Sequence, residues 1–202
     1  MREDLFEKIK EYLPKYLTPE HQRELFSELQ RFQTDPNCIN YYLGEKITDD
    51  YLQGDGWKGF IAIKFETLEK KTVSGVIISN SCDINLANVR DFDPKVLFVP
   101  LIKLSKYVSL LKDIGKDETF INPKLDNIKK QRTSSIFYFP AYKDLMEESI
   151  TTLDDIHQHP LSSFHQTDKS KIFTLSQCGF YIFLIKLSIH FTRFNEGITR
   201  FA

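Results

Sequence analysis

The sequence contains little cysteine, and the few cysteines present form no pattern. Only Cys38, Cys82 and Cys178 occur among 202 residues. An odd and sparse set without a CxxC pair argues against a disulfide framework. The amino-terminal segment is also too charged for a signal peptide. Together these features predict a cytoplasmic protein in a reducing compartment.

Long hydrophobic runs and an excess of one charge are absent as well. The strongest apolar run, 180–191, is interrupted by Lys186 and His190 and is short for a bilayer, so no membrane partner is expected. A formal net charge of −1 is not the basic balance of a dedicated nucleic-acid binder, although a local basic patch stays open. Length and a 41% hydrophobic content predict one folded domain, or one domain with an appended helical unit.

Both ends of the chain have helical periodicity. Residues 1–50 are predicted to form an N-terminal helical hairpin and a linker, with Thr18 and Pro19 opening the second helix. Residues 161–202 are predicted to form a loop and a long C-terminal helix, for which Ser176 is the N-cap. This helix is apolar around most of its circumference. Its predicted solvent-facing side carries Lys186, His190 and Arg193. One of its apolar faces is predicted to pack on a β-barrel formed by the middle of the chain, and the N-terminal hairpin is predicted to cover the remainder.

The middle of the chain alternates between apolar and polar residues, as strands do. Strands are predicted at 57–66, 72–79, 96–102 and 134–142, with another in 148–159 and a helical insertion around 104–133. Consecutive strands joined by turns favour a small antiparallel barrel over a parallel sheet. The predicted class is therefore α+β, with the barrel at 51–160 and helices at both ends.

Three short segments, GDGWKGFIAIKF, SGVIISNS and VLFVPLI, carry a resemblance to a known family. They are similar in order and approximate spacing to the MazF/PemK-type toxins, and they cover about a quarter of the chain. The resemblance implies a small SH3-like antiparallel β-barrel. It also implies endoribonuclease activity that uses an arginine before the Ile-Ser-Asn strand and a hydroxyl residue after Pro-Leu.

The two positions that this chemistry requires are occupied by apolar residues. The arginine position falls at Val73 or at its neighbours Thr72 and Ser74, none of which is cationic, and the hydroxyl position falls at Ile102. Cleavage of RNA needs a group that takes the 2′-hydroxyl proton and a cation that stabilises the phosphorane. Neither side chain can do this, so ribonuclease activity of the MazF type is not expected.

The polar cluster that follows the second strand is the principal candidate site. The predicted ligand-binding residues are Asn80, Ser81, Cys82, Asp83, Asn88 and Arg90. In one interpretation they contact a ligand, or Cys82 acts as a nucleophile or a metal ligand. In the other, Asn80, Ser81 and Asp83 supply turn hydrogen bonds while Cys82 fills a small apolar gap. If the protein is an enzyme, the catalytic candidates are Asp83, Arg90 and Lys103.

Two further segments have alternative interpretations. The pair His157 and His159 on a strand suits zinc or nickel, with His165, Asp154 or Cys178 as a third ligand, but Pro160 and the following serines favour an exposed loop. The basic run 127–132 either contacts phosphates or is a solvated helix face. The prediction includes no metal and no cofactor.

These observations lead to a functional hypothesis. The protein is predicted to be a non-enzymatic module that binds a protein partner or RNA, in a bacterial toxin–antitoxin or phage-defence setting that rests on the resemblance alone. A homo-oligomer or a helix-mediated complex is consistent with the apolar C-terminal helix. The alternative is a divergent metal-independent endoribonuclease of the MazF/PemK type.

Overall fold

The computed structural model of the chain describes residues 18–34, 40–44, 50–64, 66–88 and 91–192. The chain divides into two units, 1–39 and 40–202. In the first unit, helix α1 (Pro19–Thr34) begins where the sequence predicts, because the Thr18 hydroxyl oxygen accepts a hydrogen bond from the His21 N–H at 3.3 Å. The first helix of the predicted hairpin lies outside the described residues. It stays a prediction that the chain divides at 50 and 160. The same holds for the prediction that the hairpin covers the C-terminal helix.

The second unit contains strands and helices in an α+β arrangement, which confirms the predicted class. Helices α2 and α3 occupy the predicted insertion. The elements in chain order are β1 (Gly56–Lys64), β2 (Glu69–Ile77), β3 (Lys95–Pro100), β4 (Ile102–Lys103), α2 (Leu104–Asp113), α3 (Glu118–Lys129), β5 (Ile136–Phe139), β6 (Ser149–Thr152), β7 (His157–Pro160), α4 (Leu161–Gln166), β8 (Ser170–Phe173) and α5 (Gln177–Thr192). No helix in the described part of the chain is long and apolar enough to cross a membrane.

The strands form two antiparallel sheets. The larger has the order β7-β3-β2-β1-β8, and the smaller has the order β4-β6-β5. The antiparallel pairing of β1 with β2 and of β2 with β3 confirms the prediction for these strands and excludes a parallel βαβ unit. Within the described residues the larger sheet ends at β7 and β8, so no closed barrel is found.

One extended segment, 95–103, belongs to both sheets. Its first part, β3, pairs with β2 and β7. At the junction the Leu101 N–H donates a hydrogen bond to the Ser74 carbonyl at 2.8 Å. The next residue, Ile102, already pairs with Ile150 of β6. The change of partner at Leu101 explains why the strands divide into two sheets instead of one ring.

Three stacked phenylalanine rings form the centre of the core beneath the larger sheet. The ring of Phe60 lies 4.1 Å from that of Phe98 and 4.4 Å from that of Phe164, with interplanar angles of 11° and 3°. Gly75 makes this possible, because a Cβ there would lie 2.8 Å from the ring of Phe98. Trp57 packs on the same cluster, 6.2 Å from Phe164 between ring centroids. Each buried aromatic ring stabilises the fold by about 1.5–3 kcal/mol.

Helix α5 packs closely on the chain that precedes β1. Ser176 is its N-cap as predicted, because the Ser176 hydroxyl oxygen accepts a hydrogen bond from the Gly179 N–H at 3.1 Å. Gly179 faces the backbone of Tyr41 so closely that a Cβ would lie 2.4 Å from the Tyr41 carbonyl oxygen. Glycine is therefore the residue that permits this contact.

The prediction that α5 turns Lys186 toward solvent is wrong. Its side chain is buried, with 6% exposure, while Ile189 and Phe191 are exposed. The ammonium group donates hydrogen bonds to the Thr133 carbonyl at 2.7 Å and also to the Ile136 carbonyl. Burial lowers the pKa of Lys186 to about 7, and the carbonyl acceptors oppose that change because they favour the charged form. His190 is half-buried, and Arg193 lies outside the described residues.

Gln131 connects the end of α3, strand β5 and helix α5. Its backbone is left-handed, with φ of 56°. The side-chain amide pairs with β5 as a neighbouring strand does: it donates to the Tyr138 carbonyl at 2.7 Å and accepts from the Tyr138 N–H at 3.2 Å. Its side-chain oxygen and its backbone carbonyl lie 3.1 and 3.2 Å from the Lys186 nitrogen and share the one ammonium hydrogen that Thr133 and Ile136 leave. These bonds compensate for the unfavourable backbone conformation.

Candidate functional site

The predicted site lies in the long connection between β2 and β3, residues 78–94, which we call the β2–β3 loop. Its first residues continue the sheet for a short distance. The Ile78 N–H donates to the Leu97 carbonyl at 2.9 Å, and the Ser79 hydroxyl oxygen accepts from the Leu97 N–H at 2.7 Å. The sheet therefore fixes the point from which the loop departs.

Asn80 organises the turn that follows. Its side-chain oxygen accepts a hydrogen bond from the Cys82 N–H at 2.9 Å, which is the geometry of an Asx turn. Its carbonyl accepts from the Asp83 N–H at 3.0 Å, and the Asn88 side chain donates to the Cys82 carbonyl at 2.7 Å. The turn interpretation is thus confirmed for Asn80. The prediction that Cys82 fills an apolar gap is wrong, because Cys82 is exposed and Ile84 is the buried residue of the loop.

A residue that the sequence did not single out, Gln53, holds the loop from the other side. The Gln53 N–H donates to the Ser81 hydroxyl oxygen at 2.9 Å, and its side chain donates to the Ile78 carbonyl at 2.8 Å. Ser81 therefore acts as an internal acceptor. Gln53 lies 28 residues before Ser81 in the chain, and no local pattern indicates that the two meet.

A buried ion pair fixes the segment that carries Gln53. Asp55 and Lys171 are 2.8 Å apart, and their side chains are only 1% and 6% exposed. Burial raises the pKa of Asp55, and the neighbouring Lys171 opposes this. Lys171 also donates to the Asp50 carbonyl at 2.7 Å and lies 5.0 Å from the centre of the Trp57 ring. A pair so deeply enclosed holds this part of the structure in place.

Of the three catalytic candidates, the structure describes Asp83 and Lys103, and these two belong to different elements. Asp83 is exposed in the β2–β3 loop, whereas Lys103 belongs to β4 in the other sheet. The Lys103 ammonium forms an ion pair with Glu147 at 2.5 Å and lowers the pKa of that carboxyl group. Arg90 lies outside the described residues.

The two positions implied by the resemblance both lie in apolar surroundings. Val73 pairs with Phe60 in the larger sheet and packs on the phenylalanine core. Ile102 packs on a second core cluster, around Ile128 and Ile150. The two side chains thus belong to different clusters, and neither can donate or accept a proton.

The three histidines of the predicted metal site each have a separate partner. His157 contacts Asp155 at 3.1 Å, His159 is buried with its Nδ1 3.0 Å from the Pro160 carbonyl, and His165 lies 2.9 Å from the Tyr51 hydroxyl. The prediction of an exposed loop at 157–165 is wrong, because β7 and α4 occupy this segment. The ring of His159 packs 5.7 Å from that of Phe164. Among the residues that the structure describes, no group of three or more His, Cys, Asp or Glu side chains could hold a metal ion.

The basic run 127–132 forms ion pairs within the chain. Lys129 contacts Glu148 at 2.7 Å, and Lys130 contacts Asp126 at 2.7 Å. The Tyr138 hydroxyl donates to the same Glu148 carboxylate. Burial and this carboxylate raise the pKa of Tyr138, so that the phenol stays a neutral donor. The intramolecular pairs favour the solvated-face interpretation over phosphate contact.

Large apolar side chains are exposed in the second half of the β2–β3 loop. Phe92 is 87% exposed and Leu86 is 56% exposed. They are not among the predicted site residues, because the sequence alone does not show whether an apolar loop residue is buried or exposed. Comparison with known proteins adds no assignment, since no protein-family model and no curated protein matches the chain.

Proposed function

We propose that this protein is a non-enzymatic interaction module that binds a protein partner or RNA through the β2–β3 loop. We further propose that its two linked sheets are an open, divergent form of the SH3-like barrel. The toxin–antitoxin or phage-defence setting follows from the resemblance to the MazF/PemK-type toxins, and it is part of the proposal.

One observation carries the proposal: hydrogen bonds hold the backbone of the loop, while large apolar side chains of the same loop are exposed. Asn80, Ser81 and Asn88 use their side chains to hold the loop's backbone and its neighbouring segment. Leu86 and Phe92 remain exposed to solvent. A rigid scaffold that presents side chains on a surface loop is typical of a binding surface.

The alternative, a divergent endoribonuclease, has less support. Metal-independent cleavage of RNA needs a base and a cation within reach of one phosphate. Asp83 and Lys103 lie in different parts of the fold, and Lys103 is engaged by Glu147. The positions of Val73 and Ile102 favour the same conclusion.

The first test is incubation of the purified protein with RNA of mixed sequence in the absence of metal ions. We expect no cleavage by the wild type. Sequence-specific cuts that vanish in Asp83→Ala would refute the non-enzymatic proposal and support the alternative. Asp83 is suitable for this test because it is exposed, and its replacement should leave the fold intact.

The second test is recovery of bound macromolecules from bacterial cells that produce the tagged protein. Proteins are identified by mass spectrometry and RNA by sequencing. We expect at least one bound macromolecule to be lost from the double variant Leu86→Ser, Phe92→Ser and retained by Leu68→Ser. Leu68 is the matched control because it is 74% exposed at the turn between β1 and β2. Equal recovery by all three proteins would show that the loop is not the contact surface.

A further inference from the structure

We infer that the partner of the β2–β3 loop is a protein whose apolar pocket is bordered by basic side chains, and not RNA. This inference rests on the proposed function and specifies its partner. Five described residues carry it: Asp83, Leu86, Asp91, Phe92 and Asp93. Residues 89 and 90 lie outside the described part of the chain, and only the charge of Arg90, read from the sequence, enters the argument.

The two exposed apolar side chains are the anchors that we propose for the partner. Phe92, at 87% exposure, is the most exposed of the large hydrophobic residues described, and Leu86 belongs to the same loop. Aromatic side chains that enter a pocket on the partner supply much of the affinity of protein interfaces. A stacking contact with a nucleic-acid base would use Phe92 but would leave Leu86 without a role.

Both anchors are attached to fixed points of the fold. Leu86 follows the fully buried Ile84 and occupies the turn 85–88, in which the Asn85 carbonyl accepts a hydrogen bond from the Asn88 N–H at 3.1 Å. Phe92 precedes Asp93, whose carboxylate accepts a hydrogen bond from the Ser162 hydroxyl at 2.7 Å. Side chains attached at such points lose less conformational entropy on binding than side chains on an unanchored segment.

The charge of the loop favours a basic partner. Asp83, Asp91 and Asp93 are exposed, and Arg90 is the one cationic residue of the sequence 78–94. Phosphate groups would be repelled by this excess of carboxylates, because nucleic-acid binding depends on cationic side chains. A protein surface with lysine or arginine around an apolar pocket would complement both features of the loop.

The experiment uses a library of random twelve-residue peptides displayed on phage. Peptides are selected on the wild-type protein, and those also retained by the Leu86→Ser, Phe92→Ser variant are removed. We expect the remaining sequences to combine lysine or arginine with leucine, isoleucine or aromatic residues. A synthetic consensus peptide should bind the double variant at least about tenfold more weakly than the wild type.

A control variant and a charge variant separate the contribution of the loop's apolar side chains from that of its carboxylates. Leu68→Ser should bind the consensus peptide as the wild type does. Asp91→Asn should weaken binding about two- to fivefold at low salt and should reduce the salt dependence of the dissociation constant. All variants alter exposed side chains, and an unchanged thermal unfolding midpoint verifies that they fold.

The outcomes distinguish this inference from the proposed function. A consensus that is acidic or lacks apolar residues would overturn the inference. The same holds if a pool of mixed 20-nucleotide RNA binds in a Phe92-dependent manner, although the proposed function would then stand. If neither peptides nor RNA depend on Leu86 and Phe92, both the inference and the proposed contact surface are refuted.

Discussion

Replacing Gln131 by glycine should destabilise the protein, whereas replacing Leu68 by glycine should stabilise it. The two residues have the same left-handed backbone, with φ of 56° and 57°. This conformation costs an L-amino acid about 1–2 kcal/mol, and glycine adopts it without that cost. If backbone conformation alone decided stability, both substitutions would therefore be favourable.

The side chains make the difference. Leu68 is 74% exposed, so its removal loses little buried surface, and we expect a gain of about 0.5–1 kcal/mol in the free energy of unfolding. Gln131 bonds both backbone groups of Tyr138 and accepts from Lys186. Each buried group left without its partner costs about 1–3 kcal/mol. After the backbone gain is subtracted, Gln131→Gly should lose about 2–4 kcal/mol.

Urea unfolding followed by fluorescence measures both changes, because Trp57 is the single tryptophan of the chain and is buried. Thermal midpoints should move by about 2–4 °C per kcal/mol for a protein of this size. A Gln131→Gly variant that is as stable as the wild type would refute the argument that the side-chain amide substitutes for a neighbouring strand. Leu68→Gly must in turn show no loss of stability for the backbone argument to hold.

Two other predictions concern α5. Because burial lowers the pKa of Lys186 to about 7 in the folded state, the unfolded state binds more protons than the folded state between about pH 7 and pH 10.5. The unfolding free energy of the wild type, relative to that of Lys186→Met, should therefore increase over this range, by up to about 1.4 kcal/mol per pH unit. A difference that is constant over that range would mean that the carbonyl acceptors keep the ammonium charged. Gly179→Ala should lower the unfolding free energy by about 1–3 kcal/mol in urea titrations, because the Cβ would collide with the Tyr41 carbonyl; an unchanged midpoint would mean that α5 shifts at no cost.

The parts of the fold that depend on local sequence could be predicted. The periodicity of β1, β2 and β3 identifies them as strands, and Ser176 marks the start of α5 because capping is a local interaction. The division into two sheets could not be predicted, since it depends on which strands the segment 95–103 meets on each side of Leu101.

The environment of Lys186 shows the limit of reasoning from residue types. A lysine in an apolar helix is ordinarily placed toward solvent. Here its acceptors include backbone carbonyls of Thr133 and Ile136, about 50 residues earlier in the chain. Every residue has a carbonyl, so no residue type marks such acceptors in a sequence. The same limitation applies to His159, whose burial depends on the rings around it.

The candidate site was predictable in its turn chemistry but not in its surface. Asn80 has a local role that its residue type indicates. The contact from Gln53 and the fixed position of Phe92 depend on distant segments. Whether an apolar loop residue is buried or exposed depends on tertiary packing, so Leu86 and Phe92 could be assigned to the surface only with the structure.

The bonds that Gln131 and Lys186 make have a consequence for the behaviour of the protein at high concentration. Strand β5 (Ile136–Phe139) is the outer strand of its sheet, and its apolar sequence is prone to pair with other chains. Side chains occupy the backbone groups on its outer side: those of Tyr138 bond to Gln131, the Ile136 carbonyl bonds to Lys186, and the Tyr42 hydroxyl donates to the Pro140 carbonyl at 2.5 Å. An incoming strand would therefore meet backbone groups of Ile136, Tyr138 and Pro140 that already have partners. On this reasoning the same side chains that stabilise the fold should also disfavour aggregation through β5.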